Sequence, residues 1–131
     1  MSSVIPKAYL DLFEKKALAH LATLMADGSP QVTPVWVDYD GKHVRVNSAK
    51  DRVKDKNMRR DPRVALSLHD PDNPYRYLEV RGRVVKITEE GADAHIDELS
   101  HKYLGKAYPN RRHDEARVTY LIEPHKITAM G

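Results

Sequence analysis

The chain has 131 residues and a formal net charge of +3, with 40% hydrophobic and 31% charged residues. That length suffices for one domain with a real core and is too short for two. The absence of cysteine excludes disulfides, thiolate nucleophiles and zinc–thiolate sites. No apolar run approaches the ~20 residues of a membrane span, and no signal-peptide core opens the chain, so a soluble, cytoplasmic protein is expected.

Pro6 to Lys16 reads as a first helix with Pro6 in its first turn and Tyr9, Leu10, Leu12 and Phe13 as its apolar side. Leu18 to Met25 is a short apolar run ending at Asp27-Gly28, a strand followed by a turn into a second strand, Gln31 to Asp38. Asp40-Gly41 turns the chain again into His43 to Asn47, with Val44 and Val46 on one face and Arg45 and Asn47 on the other. Val64 to His69 is a fourth strand, and Asp70 to Pro74 has the composition of a loop. Tyr75 to Thr88 is a long strand, with Gly82 marking a bulge or bend. Gly91 to Leu104 is an amphipathic helix with a stripe of Ala92, Ile96, Leu99 and Tyr103. Gly105 to Glu115 is polar and irregular. Arg117 to Glu123 is a last strand, resumed after Pro124 as His125 to Ala129. Six strands joined largely by tight turns predict an antiparallel sheet that closes into a small β-barrel with peripheral helices, a mainly β fold in a single domain spanning residues 1–131.

Charge is concentrated between strand and strand. From Lys50 to Arg63 there are seven Lys or Arg against three Asp, so the rest of the chain is close to neutral. A short helix is expected there, with Ser48 as its N-cap and Pro62 as its stop. A helix N-terminus flanked by Arg and Lys suits a phosphate; a solvated basic helix accounts for the same charges. Nucleic acid is disfavoured as a partner, because the segment has no interleaved aromatics and holds three aspartates. Glu98 and His101 stand at a metal-site spacing but lack matching ligands on other helices, so no metal is expected. There is no Gly-rich phosphate loop and no nucleophile elbow. If the protein is an enzyme, its chemistry belongs to a cofactor. Pro34 places its strand at an edge or against a ligand, and packing into the core accounts for Trp36. Tyr75 and Tyr77 share a face and suit either stacking on a planar ring or a surface pair.

Four stretches in order carry a resemblance: Leu21-Ala22-Thr23-Leu24, Asp27 to Trp36, Asn57 to Ala65, and Asn73 to Gly82. With these the chain resembles the pyridoxamine-5′-phosphate-oxidase-like, FMN-binding split-barrel superfamily. More closely, it is similar to the small actinobacterial oxidoreductases that use the deazaflavin coenzyme F420. The resemblance implies a six-stranded antiparallel split barrel that forms a homodimer with cofactor clefts between subunits. It implies that Arg52 and Lys54 hold the cofactor phosphate, with Asn57 in support. The ring system would lie near Gln31, Pro34, Val35, Asn47 and Ser48, with Trp36 as a ring neighbour. Tyr75 and Tyr77 would approach from the partner subunit, Tyr77 as the candidate proton donor. Lys56, Arg59 and Arg60 exceed what a monophosphate clamp needs, and could follow the anionic tail of F420. The implied function is hydride transfer from reduced F420 to an electron-poor small molecule. The alternatives are an FMN-dependent oxidase or reductase, and a flavin-, F420- or haem-binding protein without turnover.

Overall fold

The computed structural model describes residues 3–131. A 3-10 helix (Lys7–Phe13) leads into strands β1 (Ala19–Leu24), β2 (Pro30–Val35), β3 (Val37–Tyr39) and β4 (Val44–Ala49). Helix α1 (Val53–Arg60) follows, then β5 (Arg63–Asp70), β6 (Asn73–Thr88), helix α2 (Ala92–Leu104) and β7 (Arg117–Met130). All neighbours pair antiparallel in the order β2-β1-β5-β6-β7-β4-β3. The strands at the two ends of that order are joined by one residue, Trp36. Val35 and Val37 are then at most about 7 Å apart, so the sheet curls until its edges meet. The result is the expected split barrel. The segment 30–39 pairs with β1 before Trp36 and with β4 after it. That change of partner divides the expected second strand, so six strands become seven.

Alternation fills the barrel. Val64, Leu66 and Leu68 of β5 point inward, as do Val44 and Val46 of β4 and Val118, Tyr120 and Ile122 of β7. The 3-10 helix replaces the α-helix expected over 6–16, and adds Leu12 and Phe13 to this core. α2 packs outside the barrel on β4 and β7, burying the whole predicted stripe of Ala92, Ile96, Leu99 and Tyr103. Large apolar side chains contribute roughly 1.5–3 kcal/mol each on burial, more than propensity can give a helix of this length.

Three expected boundaries move, each for a physical reason. β4 continues to Ala49 because Ser48 and Ala49 go on pairing with Val118 and Arg117 of β7. Ser48 is therefore a strand residue and not a helix cap. Asp51, at φ 73°, makes the turn, and α1 starts at Val53 with Arg52 in the N-cap position. The expected loop 70–74 shrinks to a tight turn at Pro71-Asp72, with Asn73 already opposite Asp70. β7 runs unbroken through Pro124, which lies opposite Gly82 where the ladder shifts register.

A charge cluster ties the 3-10 helix to the β5–β6 turn. Lys15 Nζ donates to Asp70 Oδ1 at 2.9 Å, and Arg76 donates to Asp70 at 3.0 Å and Asp11 at 2.7 Å. The backbone N–H of Asp72, then Lys15 and Arg76, pull the Asp70 carboxyl from its ordinary 3.8 down to about 2. A carboxylate whose folded pKa is depressed stabilises the fold above its unfolded pKa and loses that contribution as pH falls through the folded one. Stability of the parent should therefore drop between about pH 4 and about pH 2, and Asp70→Asn should flatten that slope in thermal melts. An unchanged slope in the variant would remove Asp70 from the account.

Candidate functional site

α1 is short and basic, and it is fastened by its own acid. Asp55 is fully buried and accepts from the hydroxyl of Tyr120, from the Asp51 N–H at 2.9 Å and from Arg59 Nε at 3.0 Å. Burial opposes the charge, yet these donors hold the Asp55 carboxyl below its ordinary value. Met58 and Asn57 complete the buried face. Asn57 donates to Thr23 Oγ1 at 3.0 Å. The opposite result holds at the N-terminal end, where Arg52 and Lys54 face a cleft.

That cleft has a volume of about 460 Å³, within the usual range for a small-molecule site. One side is apolar: Leu18, Pro34, Val35 and Trp36 below, with Ile96 and Leu104 of α2 and Tyr108 beside them. The other side is polar and cationic: Asn47, Ser48, Arg52, Lys54, Asn110 and Arg117. Trp36 stacks on Tyr103 at 5.3 Å with the planes 5° apart, and meets the Tyr108 ring edge-on at 6.1 Å. It packs against α2 rather than inside the barrel, and so is at once a packing residue and a wall of the cleft. Tyr103 anchors this wall, donating to the Ala17 carbonyl at 2.6 Å and accepting from the Val37 N–H at 3.3 Å. Burial pushes its pKa up to about 12. Tyr103→Phe leaves both backbone groups without this partner and should cost about 1–3 kcal/mol in urea denaturation; a loss below a few tenths would contradict the assignment.

Behind the polar side runs a buried network. Arg117 Nε donates to Asn47 Oδ1 at 2.9 Å, which fixes the amide, so Asn47 Nδ2 donates to Ala92 O at 3.0 Å and to His95 Nδ1 at 3.2 Å. With Nδ1 accepting, His95 Nε2–H donates to Asp38 at 3.2 Å. Arg45 holds the same Asp38 through two bonds of 2.8 Å. Toward the cleft, Arg117 is paired with Glu115 at 2.9 Å and lies over the Tyr108 ring at 5.1 Å. Arg52 reaches the other oxygen of Glu115 at 3.3 Å. Lys54 forms no ion pair among the described residues, although it is half-buried. Burial, and then the charges of Arg52 and Arg117, depress its pKa. Ser48 Oγ is buried against the same cleft with no hydrogen-bond partner among the described residues. An unpaired cation and an orphaned hydroxyl at one end of an apolar cleft fit a planar ring carrying a phosphate.

Of the predicted site residues, the cleft brings together Pro34, Val35, Trp36, Asn47, Ser48, Arg52 and Lys54. The others lie elsewhere in the chain. Gln31 accepts weakly from Thr23 at 3.4 Å, on the far half of β2. Asn57 is turned to the barrel, Arg59 is bound to Asp55, and Lys56 is exposed on α1. Arg60, too, folds back on Leu24 O and Asn57 Oδ1 at 3.3 Å each. Tyr75 is 82% exposed on β6, and Tyr77 lies on the same strand opposite His69 and Met130. Arg117, Tyr108 and Asn110 also line the cleft, and no motif in the sequence marks them. Alternation in Arg117 to Glu123 does put Arg117 and Thr119 on the face away from Val118 and Tyr120, beside Asn47. A second cleft of about 490 Å³, over Thr23, Pro30, Ala65 and Gly82, contains no predicted site residue. Among the described residues no three His, Cys, Asp or Glu side chains are grouped to hold a metal, and no helix is long and apolar enough to cross a membrane.

The family model for pyridoxamine 5′-phosphate oxidase matches residues 5–131. The chain belongs to the pyridoxamine 5′-phosphate oxidase family. Among solved structures it is similar to an F420 reductase at 37% identity and a TM-score of 0.85, over 95% of this chain and 98% of that one. A conserved hypothetical protein from Mycobacterium tuberculosis is 24% identical with a TM-score of 0.76, over 96% of this chain and 84% of that one. A putative pyridoxamine 5′-phosphate oxidase from Listeria innocua, at 20% identity and a TM-score of 0.69 over 94% and 93%, shares the fold. Membership fits a flavin-type oxidoreductase, with F420 and FMN as the two cofactors to be told apart.

Proposed function

We propose that the chain is an F420-dependent reductase that uses this cleft to bind the deazaflavin coenzyme. The carrying observation is Lys54: a half-buried cation with no anionic partner among the described residues, beside Arg52 and Arg117, opening onto the apolar wall of Pro34, Val35 and Trp36. The similarity to an F420 reductase at 37% identity supports the same choice of cofactor. When bound, the deazaflavin supplies hydride from C5 to an electron-poor acceptor.

The residues do the rest. Arg52 and Lys54 hold the phosphate, with the Ser48 hydroxyl as a further donor. Pro34, Val35 and Trp36 would hold the ring system, and Tyr108 and Leu104 would limit the access of water to the cleft. Tyr75 and Tyr77 stand outside the cleft of their own chain. In the homodimer we propose, they close the ring from a second copy, where the Tyr77 hydroxyl would donate a proton to the reduced acceptor. The cationic surface of Lys56 would then border the path of the cofactor's anionic tail. Sedimentation as a monomer at working concentrations would remove Tyr75 and Tyr77 from the site.

The test of turnover is a screen of electron-poor acceptors with reduced F420. The visible absorbance of oxidised F420 should return with at least one acceptor, and only when protein is present. Tight binding without turnover on any acceptor would make the protein a carrier.

A further inference from the structure

We propose that Glu115 is a resident counter-ion of the cationic cradle, competing with a ligand's phosphate and so setting which anions the cleft accepts. The inference rests on this cleft being the phosphate site. Its two carboxylate oxygens are divided between the two arginines, Oε1 to Arg117 at 2.9 Å and Oε2 to Arg52 at 3.3 Å. That fork is what a phosphate's oxygens would offer the same guanidiniums. The Glu115 side chain is only 12% exposed, so its charge is poorly screened. Lys54, the third cation, is left over. Three cations against one carboxylate leave the cradle at +2; a neutral residue at 115 would raise it to +3. Glu115 itself lines a smaller neighbouring cleft that shares Arg52, while Tyr108 of the same segment lines the larger one.

The experiment is a calorimetric titration with inorganic phosphate at fixed ionic strength, a probe that needs no ring. Glu115→Gln keeps an oxygen for the arginines but removes the charge. It should bind phosphate about tenfold more tightly than the parent, the effect of one unit charge at close range in a partly screened site. Glu115→Asp should bind like the parent. Adding Lys54→Met to Glu115→Gln should abolish the gain, which locates the phosphate in the cradle. Unchanged or weaker binding by Glu115→Gln overturns the proposal, as does equal tightening in Glu115→Asp, or a gain that survives Lys54→Met. Unfolding of Glu115→Gln also overturns it, because the carboxylate would then be holding the arginines rather than competing for them. A parent that binds F420 while Glu115→Gln gains nothing rejects the counter-ion alone; a parent that binds neither phosphate nor F420 rejects the cleft itself.

Discussion

Lys54→Ala should bind F420 about 10- to 100-fold more weakly than the parent, the loss expected of one hydrogen bond to a charged group. The fold should not suffer. In the free protein Lys54 is a half-buried cation next to two others, and its pKa is depressed by burial and by Arg52 and Arg117. A lysine whose folded pKa lies below its unfolded value destabilises the native state wherever it is protonated. Removing it relieves that strain, and alanine is a good helix former in α1. The melting temperature should stay within about 3 °C of the parent or rise. Opposed effects on binding and stability separate a functional cation from a structural one. Unchanged affinity, or a clear loss of stability, would put the phosphate elsewhere.

Gly82→Ala should do the reverse, harming the fold before the site. A Cβ at this position would lie 2.1 Å from the Glu123 carbonyl oxygen and 3.2 Å from the Pro124 Cα, both backbone atoms of β7. Neither can rotate away as a side chain would. The strands must separate at the register shift between Arg81 and Gly82, on the longest pairing in the barrel. A cost of about 1–3 kcal/mol or more is expected in chemical denaturation, with cofactor affinity per folded molecule retained. A variant as stable as the parent would show that the β6–β7 bulge can absorb a methyl group.

These two residues also mark what the sequence could and could not convey. Gly82 stood out because a glycine in an alternating strand has few other reasons to be there. That signal is local. Lys54 is one of seven cations between Lys50 and Arg63, and only the resemblance to the split-barrel family sets it and Arg52 apart from the rest. The end of β4 was misplaced because Ser48 is as good a cap as any serine; only its pairing with Val118 across the barrel keeps it in a strand. For Trp36 the residues pointed to core packing and the resemblance to a place beside the ring; its position as a cleft wall depends on the break between β2 and β3, which pairing with two different strands creates. Arg117 illustrates a different limit. An arginine at the start of a strand usually faces water, and its burial here is made tolerable by Asn47, Glu115 and the Tyr108 ring, residues 2 to 70 positions away. The segment 105–116 offered no pattern at all. It is held by Asp97, which accepts from the Tyr108 N–H at 2.9 Å and Arg111 at 2.7 Å. A basic run likewise does not say which of its members face the same way. Asp55 turns Arg59 aside, Asn57 faces the barrel, and Arg52 and Lys54 are left to the cleft.

F420 binding in this cleft is tested by a parallel titration of the parent with F420 and with FMN, followed by the fluorescence of Trp36. The chain has one tryptophan, and it forms a wall of the cleft, so a ring bound there must change its emission. Saturable quenching by F420 at lower concentration than by FMN, and lost in Lys54→Ala, is the predicted result. Tighter binding of FMN, or F420 binding that leaves Trp36 untouched, would contradict it.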